Sequence, residues 1–449
     1  MSDLISIGRS GVLAYRDALA GISENVVNAN NEGFARRQVT MKEQTAASGP
    51  MFLYRNTASF NGVQAADVTR VWDQYRASTA WSANSDSSQA STRSQWLGTV
   101  ETALNDGDSG VGVKLTAIFA SGNALSANPT DSTLRQSFLY AIQDATGAIK
   151  RTAAGLEKIS GTISTQAVDG VAVVNDALAA LAKLNLVLKT SPSGTSGRAA
   201  LEDQRDFIIG TITDKMGVDV SFDHYGSATL RMNDSGGPVL VDASSITPAV
   251  VGLQTAADGR LGMIVAAGGN VSAVSPISGA LAGLAEAANM VADRRQQLDA
   301  LANSLSTQLN AWNAQGIDGN GSPGAALVSG TTASTIALSV TDPSLVAAAT
   351  SSSPNGNLLA LSTLRGSAGV EDNWRGIISD QALRAQSAAT QATTAAANKD
   401  SAYSDLDAVS GVDLDAEAAD LMRFQQAYSA SAKIIQTARE TLQSILQLF

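Results

Sequence analysis

Apolar side chains recur at seven-residue spacing near the end of the chain, in residues 411–449. A second row follows the first by three positions, and no Gly or Pro interrupts residues 412–449. The two rows are Leu414, Leu421, Tyr428, Ile435, Leu442 and Phe449, then Phe424, Ser431, Ala438 and Ile445. This spacing predicts a long helix with one apolar seam, which needs a partner helix to cover it.

Residues 2–30 carry the same period. Their two rows are Ile5, Val12, Leu19 and Val26, then Gly8, Tyr15, Ile22 and Ala29. Glycines at 8, 11 and 21 each cost a helix about 1 kcal/mol relative to Ala, so this helix depends on packing. The sequence predicts that the two terminal helices pair. The pair is either an intramolecular hairpin that closes an ordinary domain or a terminal coiled coil used in polymer assembly.

The pattern changes between the two terminal helices. Apolar residues at helical spacing extend over residues 72–216 and 277–313. Val218, Val220 and Phe222 alternate with polar residues, and glycines punctuate the positions that follow. The predicted fold class is mainly α with a β-containing central insert (α+β). It consists of a long helical bundle formed by both termini and the middle helices, plus a smaller outer β-rich domain.

The same boundaries divide the chain into five segments. Residues 37–64, inside the first segment, are predicted to be loop and short strands. The segments are an N-terminal coiled-coil helix with the Asn-rich stretch after it (1–65, packed with 410–449), a long-helix bundle (66–217), a β-rich insert (218–275), returning helices with a Gly-rich loop and short strands (276–409), and a C-terminal coiled-coil helix (410–449).

Charge and composition exclude several classes of partner. The chain has 449 residues and a net charge of −11, whereas a nucleic-acid surface needs clustered Lys and Arg. Arg36-Arg37 and Arg294-Arg295 are isolated pairs, which we interpret as solvated surface charge. No apolar run is expected to reach the ~20 residues of a membrane helix, and no cleavable signal precedes Arg16. We therefore expect no nucleic acid and no membrane insertion.

The sequence offers no usable catalytic, cofactor or metal site. Cysteine is absent, which excludes disulfides and thiolate chemistry. Gly319, Gly321 and Gly324 have dinucleotide-loop spacing but follow a helix rather than a strand, so a flexible loop is the better interpretation. Asp318 begins a calcium-like spacing that lacks the required Gly and Glu. His224, the only His, lies in a predicted turn.

Residues 24–37 carry the most informative motif of the chain. Asn28, Asn30 and Asn31, followed by Gly33, predict a helix end in a turn that tolerates positive φ. The motif formed by Asn25, Asn28, Asn30, Gly33 and Phe34 resembles that of bacterial flagellar axial proteins. The stretch Ser410 to Asp415, with the residues Leu421, Arg423, Phe424, Gln425, Gln426 and Tyr428, narrows this to a resemblance to the hook-associated protein 1 family. A further internal match is the stretch Asp203 to Asp206.

The resemblance implies a structural subunit that joins hook to filament and is needed for filament assembly. It implies self-association in a ring, contact with the hook protein and with the second hook–filament junction protein, and an extracellular location on the flagellum. It also implies flagellar type III export without a cleaved signal peptide. Another axial role (hook, rod or second junction protein) remains the alternative. An enzyme is a third hypothesis that no constellation supports.

The residues predicted to form assembly or partner interfaces lie in three groups. An export chaperone is expected to contact the last of these groups before secretion. The groups are Ile5, Val12, Tyr15, Leu19, Ile22 and Val26 on the first helix, Asn28, Asn30, Gly33 and Phe34 in the Asn-rich motif, and Leu414, Leu421, Phe424, Tyr428, Ile435, Leu442 and Ile445 on the last helix.

Overall fold

The computed structural model describes residues 2–31, 33–44, 62–366 and 369–447. Phe449 and most of the loop predicted within residues 37–64 lie outside this range. The helices are α1 (Ser2–Asn28), α2 (Gln74–Ala103), α3 (Val111–Ala127), α4 (Ser132–Thr190), α5 (Ser196–Lys215), α6 (Ala280–Ala314), α7 (Gly356–Ala360), α8 (Val370–Ser410) and α9 (Leu414–Leu446), with 3-10 turns at Pro343–Leu345 and Leu361–Arg365.

The strands form small antiparallel sheets rather than one large sheet. Strands 1 and 2 pair as a hairpin, strands 3–5 and 6–8 form two three-stranded sheets, and strands 9 and 10 form a short pair. The strands are β1 (Arg37–Glu43), β2 (Val63–Arg70), β3 (Val218–Phe222), β4 (Ala228–Met232), β5 (Val239–Val241), β6 (Val250–Thr255), β7 (Leu261–Ala267), β8 (Asn270–Val274), β9 (Val328–Ser329) and β10 (Ala337–Leu338).

Side-chain caps fix where the long helices begin. The Asp131 carboxylate accepts hydrogen bonds from the backbone N–H groups of Thr133 and Leu134, at 2.8 and 3.2 Å. Asp413 caps α9 in the same way, through the N–H groups of Asp415 and Ala416. These bonds satisfy N–H groups that have no partner inside the helix.

The helices α2, α4, α6 and α8, here called the bundle, hold the main hydrophobic core. Phe138 is fully buried, and its ring lies 5.7 Å from that of Trp312 in an edge-to-face arrangement. Both three-stranded sheets join the same core through residues such as Leu230 and Val251. The predicted fold class, mainly α with a β-containing insert, is confirmed.

Two asparagines of α4 attach the sheets to the bundle. The Asn185 amide donates to the Ala228 carbonyl and accepts from the Ala228 N–H, both at 2.9 Å. Asn175 pairs with the two backbone groups of Val251 at the same distances. Val251 lies on the edge strand β6, and Ala228 is the first residue of the central strand β4, so each asparagine satisfies backbone groups of its sheet.

α4 contains an 18-residue stretch that is long and apolar enough to cross a membrane, so the expectation that no such run exists was wrong. Half of this stretch is buried inside the protein. The reason is physical: a helix at the centre of a core must be apolar over much of its surface, as a membrane helix is.

The interpretation of Arg294 as a solvated charge was also wrong. Arg294 is 1% exposed and donates to the Gln381 side chain at 2.9 Å and to the Asp380 carboxylate. Gln381 in turn donates to the Leu97 carbonyl at 2.8 Å. These bonds join α6, α8 and α2 at one level of the bundle.

This linkage predicts an acid-sensitive contribution to stability. The hydrogen bond from Arg294, with a second from Arg384, lowers the pKa of Asp380 below its ordinary value of 3.8. The stabilisation is therefore present above pH 3.8 and is lost as the pH falls through the lowered pKa. We expect Asp380→Asn to reduce the free energy of unfolding by about 1 kcal/mol at pH 7, because the carboxylate is half exposed. Urea unfolding at pH 7 and pH 2.5 checks this, and an equal difference from wild type at both values would contradict it.

Candidate functional site

The terminal helices α1 and α9, here called the helix pair, lie against each other in antiparallel orientation. A Cβ atom added to Gly8 would lie 2.6 Å from Ile435 Cγ1, and one added to Gly11 would lie 2.6 Å from Ser431 Oγ. Further along, the rings of Tyr15 and Phe424 lie 6.1 Å apart. Glycine at these positions lets the two backbones approach closely, because any larger residue would meet the facing helix.

The buried side of α1 is rotated relative to the predicted seam. Val26, the last residue of the first predicted row, is 42% exposed, whereas Asn25 is 1% exposed. Ile5, Val12 and Leu19 are only half-buried. The buried positions are Gly8, Gly11, Ala14, Ala18, Gly21, Ile22 and Asn25. Small residues therefore form the contact, and the larger apolar residues lie at its margins.

The last helix covers this surface with part of its predicted seam. Ser431 and Ala438 are buried, and Leu421, Phe424 and Ile435 are half-buried. The other predicted residues remain accessible, and they are Leu414, Tyr428, Leu442 and Ile445, between 37% and 51% exposed. Within one chain, the apolar surface of α9 is thus larger than the surface that α1 can cover.

The Asn-rich motif forms the turn between α1 and β1. Gly33 has a φ of +81°, which favours glycine, and the Asn28 side chain donates to the Glu24 carbonyl at 2.9 Å. Asn30 is exposed, and the half-buried Phe34 ring lies 4.7 Å from the Arg37 guanidinium. The backbone N–H of Arg36 donates to the Ser410 carbonyl at 2.8 Å, which ties this turn to the end of α8.

A buried ionic network, which the sequence interpretation missed, joins this turn to α5. Arg37, read from the sequence as solvated, is 4% exposed, and its guanidinium lies 2.5 Å from the Asp203 carboxylate. The Arg70 guanidinium lies 2.8 Å from Asp203 and 2.6 Å from Asp206. In the sequence, the stretch 203–206 stands out only through its resemblance to the family. The alternation of Asp203, Arg205 and Asp206 is the one sequence signal that could suggest an ion-pair network here.

Burial and pairing act in opposite directions on Asp203. Burial raises the pKa of its carboxyl group, and the hydrogen bond from Arg37 and the charge of Arg70 oppose that rise. The Arg70 Nε–H lies close to Asp203 Oδ1 without aligning as a hydrogen bond. Burying these charges costs free energy that their pairing must offset. Removal of one charged side chain would leave its partner buried without a counter-charge.

The described residues contain no group of three or more His, Cys, Asp or Glu side chains that could hold a metal ion. Asp318, the first residue of the calcium-like spacing, is 8% exposed and accepts hydrogen bonds from the N–H groups of Asn320 and Ser322. His224 stacks beside Tyr225 at 3.7 Å, in the turn between β3 and β4. The helix pair leaves apolar side chains exposed on both α1 and α9, beside the buried ion pairs of the β1–β2 hairpin with α5.

Comparison with known proteins identifies the family. The model described as "Flagellar hook-associated protein FlgK helical domain" matches residues 97–328, and the model "Flagellar basal body rod FlgEFG protein C-terminal" matches residues 408–448. Flagellar hook-associated protein 1 of Salmonella typhimurium is 25% identical over 331 residues, 72% of this chain and 59% of the relative. The chain therefore spans about 59% of the length of that relative.

Two further comparisons extend over other parts of the molecule. The flagellar hook-associated protein 1 of Bacillus subtilis is 24% identical over 515 residues, covering 98% of this chain and 97% of the relative. The structure of the flagellar hook junction protein FlgK from Burkholderia pseudomallei matches 56% of this chain and 46% of that chain, with a TM-score of 0.51 and 23% identity, and supports the fold. Because the helical-domain model covers more than half of the sequence, this chain belongs to the flagellar hook-associated protein FlgK family.

Proposed function

We propose that this chain is a structural subunit of the bacterial flagellum that joins hook to filament and is needed for the filament to assemble. The observation that carries the proposal is the match of the FlgK helical-domain model to residues 97–328. The relatives named hook-associated protein 1 support the same role. The match of the rod-type model is confined to residues 408–448, so the alternative of a hook or rod protein is not favoured.

The proposed mechanism is burial of exposed apolar surface between subunits. The helix pair leaves apolar side chains in water on both helices, namely Leu4, Leu13, Val26 and Val27 on α1 and Leu414, Met422, Tyr428, Ile434, Leu442, Ile445 and Leu446 on α9. Covering each such side chain contributes roughly 1.5–3 kcal/mol, provided that the neighbour fits closely. We propose that a ring of identical subunits, the hook protein and the second junction protein cover this surface.

Export before assembly requires a different state of α9. We propose that the subunit leaves the cell through the flagellar type III apparatus, without a cleaved signal peptide, and that a chaperone holds α9 beforehand. Leu421, Phe424 and Ile435 are half-buried against α1, whereas Tyr428 and Leu442 are exposed. A chaperone that contacts all five residues would therefore bind α9 only while it is separated from α1.

The proposed role involves no catalysis, cofactor or metal, since the family is one of structural flagellar proteins. Likewise we propose no nucleic-acid partner and no membrane insertion. The net charge of −11 argues against a polyanionic ligand.

Gene deletion tests the proposal. We expect cells that lack the protein to build complete hooks without filaments, as seen by electron microscopy, and the wild-type gene to restore filaments. A variant with Ile445→Asp and Leu446→Asp is expected not to restore them, because both side chains are exposed in the monomer and would be charged at the proposed contact. Its melting temperature should equal that of wild type.

A matched control uses an equally exposed apolar residue on the outer sheet. Val271 of β8 is 65% exposed, so Val271→Asp should restore filaments fully. Normal filaments in the deletion strain would contradict the proposed function. Restoration by the doubly charged variant would contradict the assignment of the end of α9 to the contact.

A further inference from the structure

The two three-stranded sheets present different faces to solvent. Antiparallel strands on a core normally alternate between apolar residues that point inward and polar residues that point outward. The sheet β3–β4–β5 follows this rule, since its outward residues pair across the strands as Asp219 with Arg231 and Ser221 with Thr229. Its inward residues, such as Leu230, belong to the core. This sheet therefore presents an ordinary polar surface.

The sheet β6–β7–β8 departs from the rule. Its inward residues Val251, Met263 and Val265 are buried in the core. Its outward residues carry no charge, and Gln254 is the one polar side chain among them. An apolar face of this kind that stays in water typically marks a contact surface. These outward residues, here called the outer face, are Val250, Gly252 and Gln254 on β6, Gly262, Ile264 and Ala266 on β7, and Val271 and Ala273 on β8.

The outer face contains two cross-strand rows of complementary shape. The first row is large at its ends and small in its centre, and the second is small at its ends and large in its centre. The rows are Val250–Ala266–Val271 and Gly252–Ile264–Ala273. A Cβ atom added to Gly252 would lie 2.9 Å from Ile264 Cγ1, so glycine at this end leaves room for the central isoleucine. The ends of the first row lie largely in water, since Val250 and Val271 are 58% and 65% exposed.

We propose that the outer face binds the outer face of a second copy of this chain. The second copy is turned end over end, about an axis that crosses the strands between the two rows. The first row of each copy then lies on the second row of the other, so that Val271 faces Ala273 of the second copy and Ile264 faces its Ala266. Large side chains meet small ones, as they do between two packed sheets about 10 Å apart.

Charge also favours a second copy as the occupant. The chain has a net charge of −11, so most of its surface repels another copy. The outer face adds nothing to this repulsion, and the Asp258 and Arg260 side chains of the β6–β7 turn pair with each other at 2.9 Å. A charged partner would find no counter-charge on the outer face, whereas a second copy brings an equally neutral surface of matching shape.

The size of the outer face sets the strength of this contact. Three strands about 4.8 Å apart, with about four residues each at ~3.4 Å per residue, cover on the order of 200 Å² per copy. Stable interfaces bury about 800 Å² per partner. The contact is therefore weak and reversible, and free subunits pair through it only at high concentration.

Cysteine cross-linking tests the arrangement of the two faces. The chain has no cysteine, so single cysteines introduced as Val271→Cys and Ala273→Cys are the sole targets. We expect a bismaleimide that spans about 10 Å, the distance between packed sheets, to join one variant to the other more efficiently than it joins two copies of either. Labelling one variant with ¹⁵N identifies the mixed pair by mass spectrometry.

A control for this experiment places the thiol on the opposite face of the same strand. Ser272 pairs with the inward residue Val265, so Ser272→Cys should give only background cross-linking. Mixed pairs of Val271→Cys and Ala273→Cys that do not exceed this background, or that form no faster than identical pairs, would overturn the proposal.

Sedimentation velocity over a series of protein concentrations tests the contact itself. We expect the sedimentation coefficient of the wild-type chain to rise with concentration. Val271→Asp should weaken self-association by about a hundred-fold, because each pair of copies loses two buried valines. Ser272→Asp adds the same charge to the same strand on the opposite face and should leave self-association unchanged. Both variants should melt at the wild-type temperature, since both side chains are exposed in the monomer.

Three results would count against pairing of the outer faces. They are a wild-type sedimentation coefficient that does not change with concentration, unchanged self-association in Val271→Asp, and an equal loss in both charged variants.

This inference goes beyond the junction role and does not rest on it. Filament growth in the complemented deletion strain reports on the junction role, whereas both solution experiments report on the outer face. Val271→Asp is accordingly expected to abolish pairing of free subunits while it still restores filaments, because filament assembly is assigned to the helix pair.

Discussion

Replacement of Asp203 by alanine is expected to lower the free energy of unfolding by about 3–5 kcal/mol, the cost of removing one partner of a buried ion pair. Asp203 lies between the guanidinium groups of Arg37 and Arg70, whose side chains are 1% and 5% exposed. Without Asp203 these two cations remain buried, Arg37 with Glu24 at 3.7 Å and Arg70 with Asp206. Urea unfolding at pH 7, followed by circular dichroism, measures the loss.

Two controls separate charge from shape. Asp203→Asn keeps an oxygen that can accept one hydrogen bond, so we expect roughly half of the alanine effect. Lys42→Ala breaks an exposed ion pair with Asp67 on the same hairpin and should change the free energy by less than about 0.5 kcal/mol. A loss below about 1 kcal/mol for Asp203→Ala would show that water or rearranged side chains compensate the two arginines, and that the network does not stabilise the contact between the β1–β2 hairpin and α5.

The network also joins the β1–β2 hairpin, which follows α1, to α5. Arg37 and Arg70 belong to the β1–β2 hairpin, and Asp203 and Asp206 belong to α5. On the other side of the turn, the Arg36 guanidinium lies 3.8 Å from the buried Glu417 of α9. A change at Asp203 is therefore expected to disturb the direction of the terminal helices as well as the stability of the chain.

The sequence predicted the existence of the helix pair better than its contact surface. Heptad spacing identified both terminal helices and the residues Phe424, Ser431, Ile435 and Ala438 of α9. For α1 the pattern gave two rows: the row of Gly8, Tyr15, Ile22 and Ala29 is buried or half-buried, whereas the other row ends at the exposed Val26. The observed contact uses glycine and alanine, because their small size lets the backbones of α1 and α9 approach closely. A pattern based on large apolar residues does not detect such positions.

Buried polar contacts could not be predicted, because their partners are far apart in sequence. Arg37 and Asp203 are separated by 166 positions, and Arg294 and Gln381 by 87. Each arginine looks like ordinary surface charge until the fold brings its partner near. The asparagines of α4 are similar, since Asn185 gains its role only from a strand 43 residues later. Alternating residues, in contrast, predicted strands in the region where β3 to β8 lie, since that signal is local.

Substitution of Gly8 by alanine is expected to loosen the helix pair, although alanine favours helices. The new Cβ would lie 2.6 Å from Ile435 Cγ1 and 3.2 Å from the Ser431 carbonyl oxygen, so α9 must move away. Overpacking of this kind typically costs about 1–3 kcal/mol. Hydrogen–deuterium exchange of residues 8–25 and 417–438 measures the effect, which should be about ten- to hundred-fold faster exchange, since 1.4 kcal/mol corresponds to a factor of ten.

Replacement of Gly98 in α2 by alanine is expected to stabilise its helix, in contrast to Gly8→Ala. No atom lies within 4 Å of the position that its Cβ would take, so Gly98→Ala should gain about 0.5–1 kcal/mol from helix propensity alone. Gly11→Ala should speed exchange as Gly8→Ala does. Adding Ser431→Gly to the Gly11→Ala variant should partly restore slow exchange, because the Cβ at position 11 clashes with the Ser431 side chain. If Gly8→Ala slowed exchange as Gly98→Ala is expected to do, the close approach of α1 and α9 would not exist in solution. The exposed apolar residues of the two helices would then not form a common surface, and the proposed contact with neighbouring subunits would lose its structural basis.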